Sequence, residues 1–391
     1  MKVYSVISYV VKYSGEEYEK LASQKTQIRI MDPIHFPQAV QITDNEGDNM
    51  INSHFVPQFL LRNFCSDSKI QYYNKNTKTV ESRSTRSVFS EKGYYPDQLE
   101  KDLCNKIEYQ FSVVLNNKLL KARDKITLNS DEMWILKKYL IITMLRVHDD
   151  NMEHNTMYRF LKRDGFIQDP DEFEVKYSGD FYDNIIKILN CPDPYSALEL
   201  TNTEANITLF SFIRDVINSY NVFVRSNRSK EDFVITDRGW ANYCGIISVK
   251  KLNAILDTPV YQFDPFLQQV IRMSSPQDYA VYPLSSNLAI ITVSPAIHVM
   301  LPESPYKIIL PPEAPTLAKC MGFGNNRIFT APKKQLICGM KLYTYEVHQL
   351  KQSDVAFLNC LLIDNADTFI GFADQSKIRY SFDQSGLSIS Y

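Results

Sequence analysis

The chain is organised around one stretch, which reads His54-Phe55-Val56-Pro57-Gln58-Phe59-Leu60-Leu61-Arg62-Asn63-Phe64. Pro57 fits the first turn of a helix, where its missing N–H costs nothing and its fixed φ favours the helical conformation. Leu60 and Phe64 lie one helical turn apart and give that helix an apolar face, while Arg62 points away from it. His54 precedes the helix, near the positive end of its dipole. The stretch therefore predicts a helix packed on a core, with an imidazole and a guanidinium close to its start.

Two interpretations of these polar residues stay open. A histidine and an arginine close together would suit an anionic or phosphate-bearing ligand, because arginine matches the geometry of phosphate and carboxylate oxygens. The alternative is an ordinary helix start with a hydrogen-bonded histidine and a surface arginine. Short motifs match by chance often enough that the residues alone favour the alternative.

Composition limits the class of protein. The chain has 391 residues, enough for one large domain or two medium ones, and its net charge at neutral pH is −2. No overall field attracts nucleic acid or an acidic membrane, so we predict no membrane partner. There is no Walker A loop, Gly-x-Ser-x-Gly elbow or His-Glu-x-x-His helix. The residues identify no cofactor and assign no metal site.

Cysteine usage indicates a reducing compartment. The seven cysteines are scattered, their number is odd, and no Cys-x-x-Cys occurs, so neither a zinc knuckle nor a redox pair is indicated. Free thiols in the cytoplasm are the simplest interpretation. The apolar run Val3–Val11 is too short to span a bilayer and favours a strand. We therefore predict a cytoplasmic protein.

The order of apolar patterns predicts an α+β fold, with a helical half interleaved with an antiparallel sheet in a single large domain at 51–391. Residues 1–50 are expected to form an N-terminal extension packed on that core. Helical spacing predicts helices over 97–120, 130–146, 180–189 and 353–364. Paired β-rich runs predict three antiparallel hairpins, at 69–73 with 79–82, at 220–225 with 232–236, and at 280–282 with 288–293.

Two charged residues occupy the predicted consecutive helices near their apolar faces. Glu108 adjoins Ile107, and Arg146 follows Ile142 by one turn. A buried charge needs a partner, and two consecutive antiparallel helices would bring this carboxylate and guanidinium together. We favour a structural ion pair over a direct catalytic role, because structural pairs also produce such patterns.

Asp237 and Asn359 each allow a functional and a structural interpretation. Asp237 ends a predicted strand, where a carboxylate can bind a metal or act as a base, but a turn-initiating aspartate that bonds backbone N–H groups fits equally. Asn359 lies among apolar residues of the last helix, so its amide must be hydrogen-bonded. It could cap backbone groups at a strand edge, which is commoner, or contact a ligand.

Several stretches together resemble domain-of-unknown-function family 4238, a mostly bacterial family. The likeness begins with the His-x-x-Pro start at His54 and ends near Asp374. It continues through stretches listed here in order: Tyr94-Tyr95 with the Glu108 helix, Arg146, Phe233-Val234-Ile235-Thr236-Asp237, Tyr282-Pro283-Leu284-Ser285 and Asn359. One departure is Arg238-Gly239-Trp240, where the family usually has Asn-Pro after the aspartate. The resemblance implies a shared fold more than a reaction.

Two functions are therefore carried forward. The first is a hydrolase acting on phosphodiester bonds, with His54 as general acid or base, Arg62 as a phosphate clamp and Asp237 as a second base or metal ligand. Glu108, Arg146 and Asn359 are the further candidate ligand-binding residues. The second is a non-catalytic module for an anionic ligand, such as nucleic acid or another phosphate-bearing molecule, or for a protein. An enzyme should gather His54, Arg62 and Asp237 in one cleft.

Overall fold

The structure is a computed structural model of the whole chain. It describes residues 52–146, 181–200, 213, 216–226, 230–243, 279–293, 332–337 and 339–387. All of them belong to one compact unit that begins at Asp48. The predicted extension over 1–50, with its strand at Val3–Val11, lies outside the described residues, so its packing on the core stays a prediction.

The helices follow apolar faces that recur at helical spacing. Those with both ends described are α1 (Gln58–Leu61), α2 (Asp97–Leu103), α3 (Tyr109–Val114), α4 (Ser130–Arg146), α5 (Phe181–Asn190), α6 (Pro194–Leu200), α7 (Gln352–Asn365) and α8 (Arg379–Gln384). Two π turns, Cys104–Glu108 and Leu115–Leu119, join α2 to α3 and prolong α3. They make one long helical segment from Asp97 to Leu119.

The strands alternate with these helices along the chain. They are β1 (Asn52–His54), β2 (Lys69–Asn74), β3 (Thr79–Ser84), β4 (Ser90–Lys92), β5 (Lys125–Asn129), β6 (Tyr220–Ser226), β7 (Ile235–Thr236), β8 (Ala241–Tyr243), β9 (Tyr279–Ser285), β10 (Leu288–Val293), β11 (Lys333–Ile337), β12 (Met340–Leu350) and β13 (Phe369–Phe372).

Within the described residues the strands form three sheets. The largest has the order β11-β12-β6-β10-β9-β8, with β5 also paired to β12. The second has the order β3-β2-β13-β7, and β1 pairs with β4. Every pair is antiparallel except β12 with β6. The predicted α+β class is confirmed, and the described part of the chain forms a single domain with one continuous core.

Most local elements match their predicted positions. Strands β2 and β3 form the first hairpin, and β9 and β10 form the third. Helices α4, α5 and α7 agree with their predicted ranges to within a residue or two. The segment from Asp97 to Leu119 is helical throughout, although its two π turns were not predicted.

The predicted hairpin at 220–225 with 232–236 is wrong. Strand β6 pairs with β10 and β12 in the largest sheet, whereas β7 pairs with β13 in the second sheet. Both segments are almost fully buried, and a buried β-rich run shows that a strand forms without showing which strand lies beside it. Strand β6 cannot pair with β7, because β10 and β12 already occupy both of its edges. Residues Lys230–Val234 carry the chain from one sheet to the other.

Packing between the long helical segment and α4 is what places the charged residues of interest. Phe111 of α3 and Tyr139 of α4 stack with ring centroids 3.9 Å apart, and Phe59 meets both rings edge-on. The opening stretch therefore packs against the same two helices that carry Glu108 and Arg146. Among the described helices, none is both long and apolar enough to cross a lipid bilayer.

Candidate functional site

Strand β1 and the turn after it fix the position of His54. The strand pairs with β4, with His54 opposite Ser90, and the Phe55 N–H donates to the Phe89 carbonyl at 2.8 Å. Pro57 is the N-cap of α1, one position before the first-turn position that the sequence predicts, and its carbonyl accepts from the N–H groups of Leu60 and Leu61. The imidazole is thereby held at the junction of a strand and a helix.

Arg146 is the centre of the candidate site. It ends α4 and is only 2 % exposed, one of the largest fully buried side chains in the described part of the chain. Its Nη1 donates to Glu108 Oε1 at 2.5 Å, and its Nη2 lies 3.5 Å from Glu100 Oε2. The predicted contact between the Glu108 and Arg146 helices is therefore confirmed, and a second carboxylate, Glu100, joins it.

The guanidinium is only partly satisfied. Within the described residues, neither Nε nor Nη2 of Arg146 has a hydrogen-bond partner, and Glu100 Oε2 has none either. All three atoms are buried. A buried donor without an acceptor is costly, so a native structure normally fills such a place with water, an ion or a ligand. The unsatisfied edge of the guanidinium is therefore the feature of the site that points to a ligand.

Tyr95 ties this guanidinium to strand β1. Its hydroxyl donates to the Arg146 carbonyl, and its ring lies 5.8 Å from the guanidinium carbon, within cation–π range. The Tyr95 N–H donates to the Ser53 hydroxyl at 3.1 Å. Because Ser53 is next to His54, the imidazole and the end of α4 are held together by hydrogen bonds.

His54 borders the same charges. Its backbone N–H donates to Glu100 Oε1 at 3.4 Å, and its Nε2 lies 3.2 Å from the side-chain nitrogen of Gln58. If the Gln58 amide donates, Nε2 is the unprotonated nitrogen. Burial lowers the pKa of His54 below its ordinary value, and the Arg146 charge lowers it further, against an opposing effect of Glu108. Burial and the Arg146 charge therefore both favour the neutral imidazole.

The pKa of Glu100, the second carboxylate, shifts in the opposite direction from that of His54. Burial raises the pKa of Glu100 above its ordinary value, although the nearby Arg146 charge partly opposes this. For Arg146, burial works against the charge, but Glu108, with Tyr95 and Glu100, keeps its pKa above the ordinary value. We call His54, Gln58, Glu100, Glu108 and Arg146 the Arg146 cluster. No group of three or more metal-binding side chains forms among the described residues, this cluster included.

The backbone N–H of Arg62 donates to the Gln58 carbonyl, but its side chain makes no hydrogen bond or ion pair with a described residue of the cluster. Arg62 starts a 3₁₀ turn that follows α1, and its side chain is exposed to solvent. In the described part of the structure no hydrogen bond or ion pair joins Arg62 to His54. It occupies the surface position that the second interpretation of the opening stretch assigns to it.

Asp237 also lies outside the cluster. It follows β7, and its two carboxylate oxygens accept from the backbone N–H groups of Asp367, Thr368 and Phe369 at 3.0, 2.7 and 2.9 Å. These bonds fix the start of β13. Burial raises the pKa of Asp237, while the same N–H groups oppose that shift. The described residues show no bond between Asp237 and His54, and the geometry is that of a carboxylate that holds a turn.

Arg238-Gly239-Trp240, which follow Asp237, form a tight turn. Gly239 has φ +70°, a conformation that proline cannot adopt and other side chains rarely do. Arg238 forms a largely buried ion pair with Asp367 at 2.9 Å, and Trp240 stacks on Tyr282 with centroids 6.0 Å apart. Arg238 therefore joins the turn after β7 to the segment before β13, and Trp240 packs the same turn on β9.

Asn359 is fully buried and fully used. Its amide nitrogen donates to the Asp232 carbonyl and to the Ser381 hydroxyl, both at 2.8 Å, and its oxygen accepts from the Val234 N–H at 3.1 Å. Glu231 accepts from both the N–H and the hydroxyl of Ser381. This network joins the segment before β7 to α7 and α8. Asn359 thus caps backbone groups next to a strand, as in the structural interpretation of this residue.

Glu100 and Gln58 are the members of the Arg146 cluster that sequence reasoning missed. Glu100 lies in the first turn of α2, where an acidic residue is ordinary helix chemistry. Gln58 is the first residue of α1. A usable signal existed for Glu100, since it lies on the same helical segment as Glu108, upstream of it.

The stretches that carry the family resemblance divide between two regions. His54, Tyr95, Glu108 and Arg146 come together around one guanidinium. Asp237 and Asn359 instead join backbone segments in the second sheet and around α7.

The model of one family, described as protein of unknown function (DUF4238), matches residues 52–376. The chain belongs to this family. No curated protein and no solved structure matches the chain. The DUF4238 match covers every residue of the Arg146 cluster, and it agrees with the extent of the resemblance read from the motifs. The description names no activity, so the function has to be argued from the geometry of the cluster.

Proposed function

We propose that this DUF4238 protein binds an oxyanion-bearing ligand at the Arg146 cluster. The observation that carries the proposal is the buried guanidinium, whose Nε has no hydrogen-bond partner among the described residues and whose Nη2 has only the long 3.5 Å ion pair with Glu100 Oε2. Planar N–H groups that point in one direction match the oxygens of a phosphate or carboxylate. The 3.5 Å separation of Arg146 Nη2 and Glu100 Oε2 leaves those donors available to an incoming oxygen.

The charges around the guanidinium must balance when an anion binds. Glu108 neutralises Arg146, so a second negative charge on Glu100 would oppose the ligand. Burial raises the pKa of Glu100, which favours its protonated form beside an anion. A protonated Glu100 would then donate a hydrogen bond to the ligand. We therefore expect anion binding to take up a proton and to weaken as the pH rises.

Hydrolysis of a phosphodiester is the second candidate, and His54 is the observation in its favour. A buried imidazole with a lowered pKa stays neutral and can accept a proton at physiological pH. Glu100 would be the proton donor and Arg146 the clamp on the phosphate. Because Arg62 and Asp237 lie outside the cluster, the binding module takes precedence over the hydrolase.

A binding experiment tests the first candidate. Isothermal titration would use the full chain with inorganic phosphate and, separately, a short RNA oligonucleotide. Glu100→Gln should tighten binding roughly tenfold at neutral pH, because the neutral amide removes the cost, about 1–2 kcal/mol, of protonating Glu100 before the anion binds. Arg146→Lys should weaken it, because lysine lacks the planar fork. Arg83→Ala, at an exposed ion pair, is the control that should bind like the wild type.

A tighter complex from Glu100→Gln is a result that a purely structural role of the cluster would not produce. If the wild type binds neither probe, or if Glu100→Gln and wild type bind equally, the oxyanion site is rejected. Turnover of labelled RNA or DNA, with and without Mg²⁺ or Mn²⁺, tests the hydrolase. Activity that is absent in His54→Ala but present in Asp237→Ala would favour this candidate.

We also propose that the protein is cytoplasmic and comes from a bacterium. Free thiols support a cytoplasmic location, since Cys65, Cys104, Cys191 and Cys360 are all unpaired in the structure. The remaining three of the seven cysteines lie outside the described residues. The mostly bacterial membership expected of the family supports a bacterial source. A thiol titration of the unfolded, unreduced protein should count seven free thiols.

A further inference from the structure

The hairpin formed by β11 and β12 ends in an exposed apolar tip. Leu336, Ile337 and Met340 are 71, 48 and 55 % exposed, and they account for three of the seven large exposed hydrophobic side chains among the described residues. Strand β11 is solvent-exposed along its whole length. Three large apolar side chains so close together at the end of a hairpin are unusual on a protein surface, where exposed hydrophobic residues are normally scattered.

The apolar side chains project from both faces of this hairpin. In the antiparallel register Ile337 lies opposite Met340, and Leu336 lies opposite Lys341. Directly opposed residues share a face, and successive residues alternate between faces. Ile337 and Met340 therefore point to one side, and Leu336 points to the other. A flat partner surface could cover only one of these two faces.

Three lysines lie on the two strands of this hairpin. Lys333, Lys334 and Lys341 are all exposed. The described residues of the hairpin up to Tyr345, 332–337 and 339–345, contain no aspartate or glutamate. The net charge of −2, on which the prediction of no membrane partner depended, is an average over the chain that conceals this local excess of positive charge.

We propose that the β11–β12 tip inserts into the surface of an anionic lipid bilayer. A bilayer is a continuous apolar medium, so it can bury Leu336 on one face and Ile337 with Met340 on the other at the same time. The lysines would meet the anionic headgroups, to which each basic residue contributes favourably. A protein partner would need a cleft that closes around both faces, and the two-sided exposure favours the bilayer over it.

The spacing along the strands suits this placement. Lys333 and Lys334 precede Ile337 by three or four residues, so they lie roughly 10–13 Å back from the end of the strand. Apolar segments at membrane surfaces are buried to a depth of about 5–10 Å. The tip residues would therefore reach the boundary of the acyl chains while these lysines stay at the headgroup level. Lys341, nearer the tip, can extend its ammonium group outward along its apolar stem.

Vesicle flotation with the full chain tests the proposal. The wild type should float with vesicles made of equal parts phosphatidylcholine and phosphatidylglycerol, and not with phosphatidylcholine alone. Replacing Leu336, Ile337 and Met340 together by serine should abolish binding. Each of the changes Lys333→Gln, Lys334→Gln and Lys341→Gln should weaken binding roughly fivefold, and added salt should do the same.

The matched control is Tyr195→Ser with Leu200→Ser, which removes two other exposed apolar side chains, 55 and 44 % exposed, from α6. This variant should bind like the wild type, and circular dichroism should show all variants folded. Equal binding to neutral vesicles, no binding to either kind, or an equal loss in the control would overturn the proposal. So would a wild-type dimer, detected by light scattering, that the serine variant converts to a monomer, because the tip would then contact a second copy.

Discussion

Replacing Arg146 by alanine should destabilise the protein strongly, because this arginine is buried, whereas most arginines lie at the surface. The guanidinium is buried, and it is the counter-charge for Glu108 at 2.5 Å and for Glu100 at 3.5 Å. The side chains of both glutamates are only 15 % exposed. Arg146→Ala leaves these carboxylates without a cation and away from water, which is the most expensive way to break an ion pair.

The expected loss in the free energy of unfolding is about 3–5 kcal/mol, the usual cost of stranding one partner of a buried pair. An internal comparison is available, because Arg83 and Glu81 have the same 2.5 Å separation at 43 and 50 % side-chain exposure. Arg83→Ala should cost at most about 1 kcal/mol, since solvent screens an exposed pair. Burial, together with the second carboxylate that Arg146 serves, therefore separates the two outcomes.

Urea denaturation followed by fluorescence would measure both variants. The loss in Arg146→Ala should shrink at acid pH, because a protonated carboxyl group needs no counter-charge. Similar denaturation midpoints for Arg146→Ala and Arg83→Ala would refute the reasoning. So would a loss that stays constant from neutral to acid pH, since it would then come from packing and not from the stranded carboxylates.

Three further changes test the remaining structural assignments by the same denaturation assay. Asp237→Ala should cost about 2–4 kcal/mol, because three backbone N–H groups lose their acceptor, and an unchanged midpoint would contradict its turn-holding role. Asn359→Ala should cost a similar amount, about 2–4 kcal/mol, by leaving buried backbone groups unpaired, and a cost near zero would rule that out. Burial lowers the pKa of Lys137 to about 7, so the folded chain holds fewer protons than the unfolded chain between pH 7 and 10.5. Stability should therefore rise with pH above about 7, and a wild-type slope that Lys137→Met leaves unchanged would count against this.

Local periodicity predicted the helices other than α6 and α8 and two of the three hairpins, because their apolar residues repeat at the spacing of the element that they form. The pairing of β6 could not be predicted in this way. Its buried residues satisfy the pattern of any central strand, and its partners, β10 and β12, come much later in the chain. Long-range pairing depends on which faces remain uncovered after the helices pack, and no short window of sequence contains that information.

The part of the candidate site that the sequence predicts is the ion pair, because a buried charge needs a partner of opposite charge. Arg146 on an apolar helix face requires a carboxylate, and Glu108 on the preceding helix supplies it. The third charge, Glu100, looks like an ordinary residue of a helix start. Asp237 looks the same in sequence whether it binds a ligand or three backbone N–H groups, so only the position of the segment before β13 distinguishes the two roles.

The π turn at Cys104–Glu108 determines which insertions and deletions this helix can accept while Glu100 and Glu108 still face Arg146. Tyr109 N–H donates to the Cys104 carbonyl, so this turn holds one residue more than an α-helical turn. Glu100 and Glu108 are eight positions apart, which in a regular α-helix would turn them about 80° from each other. The extra residue gives them the phase of about seven positions, nearly the same side. Removing one residue from the wide turn would leave both carboxylates facing Arg146, whereas adding one would rotate Glu100 away.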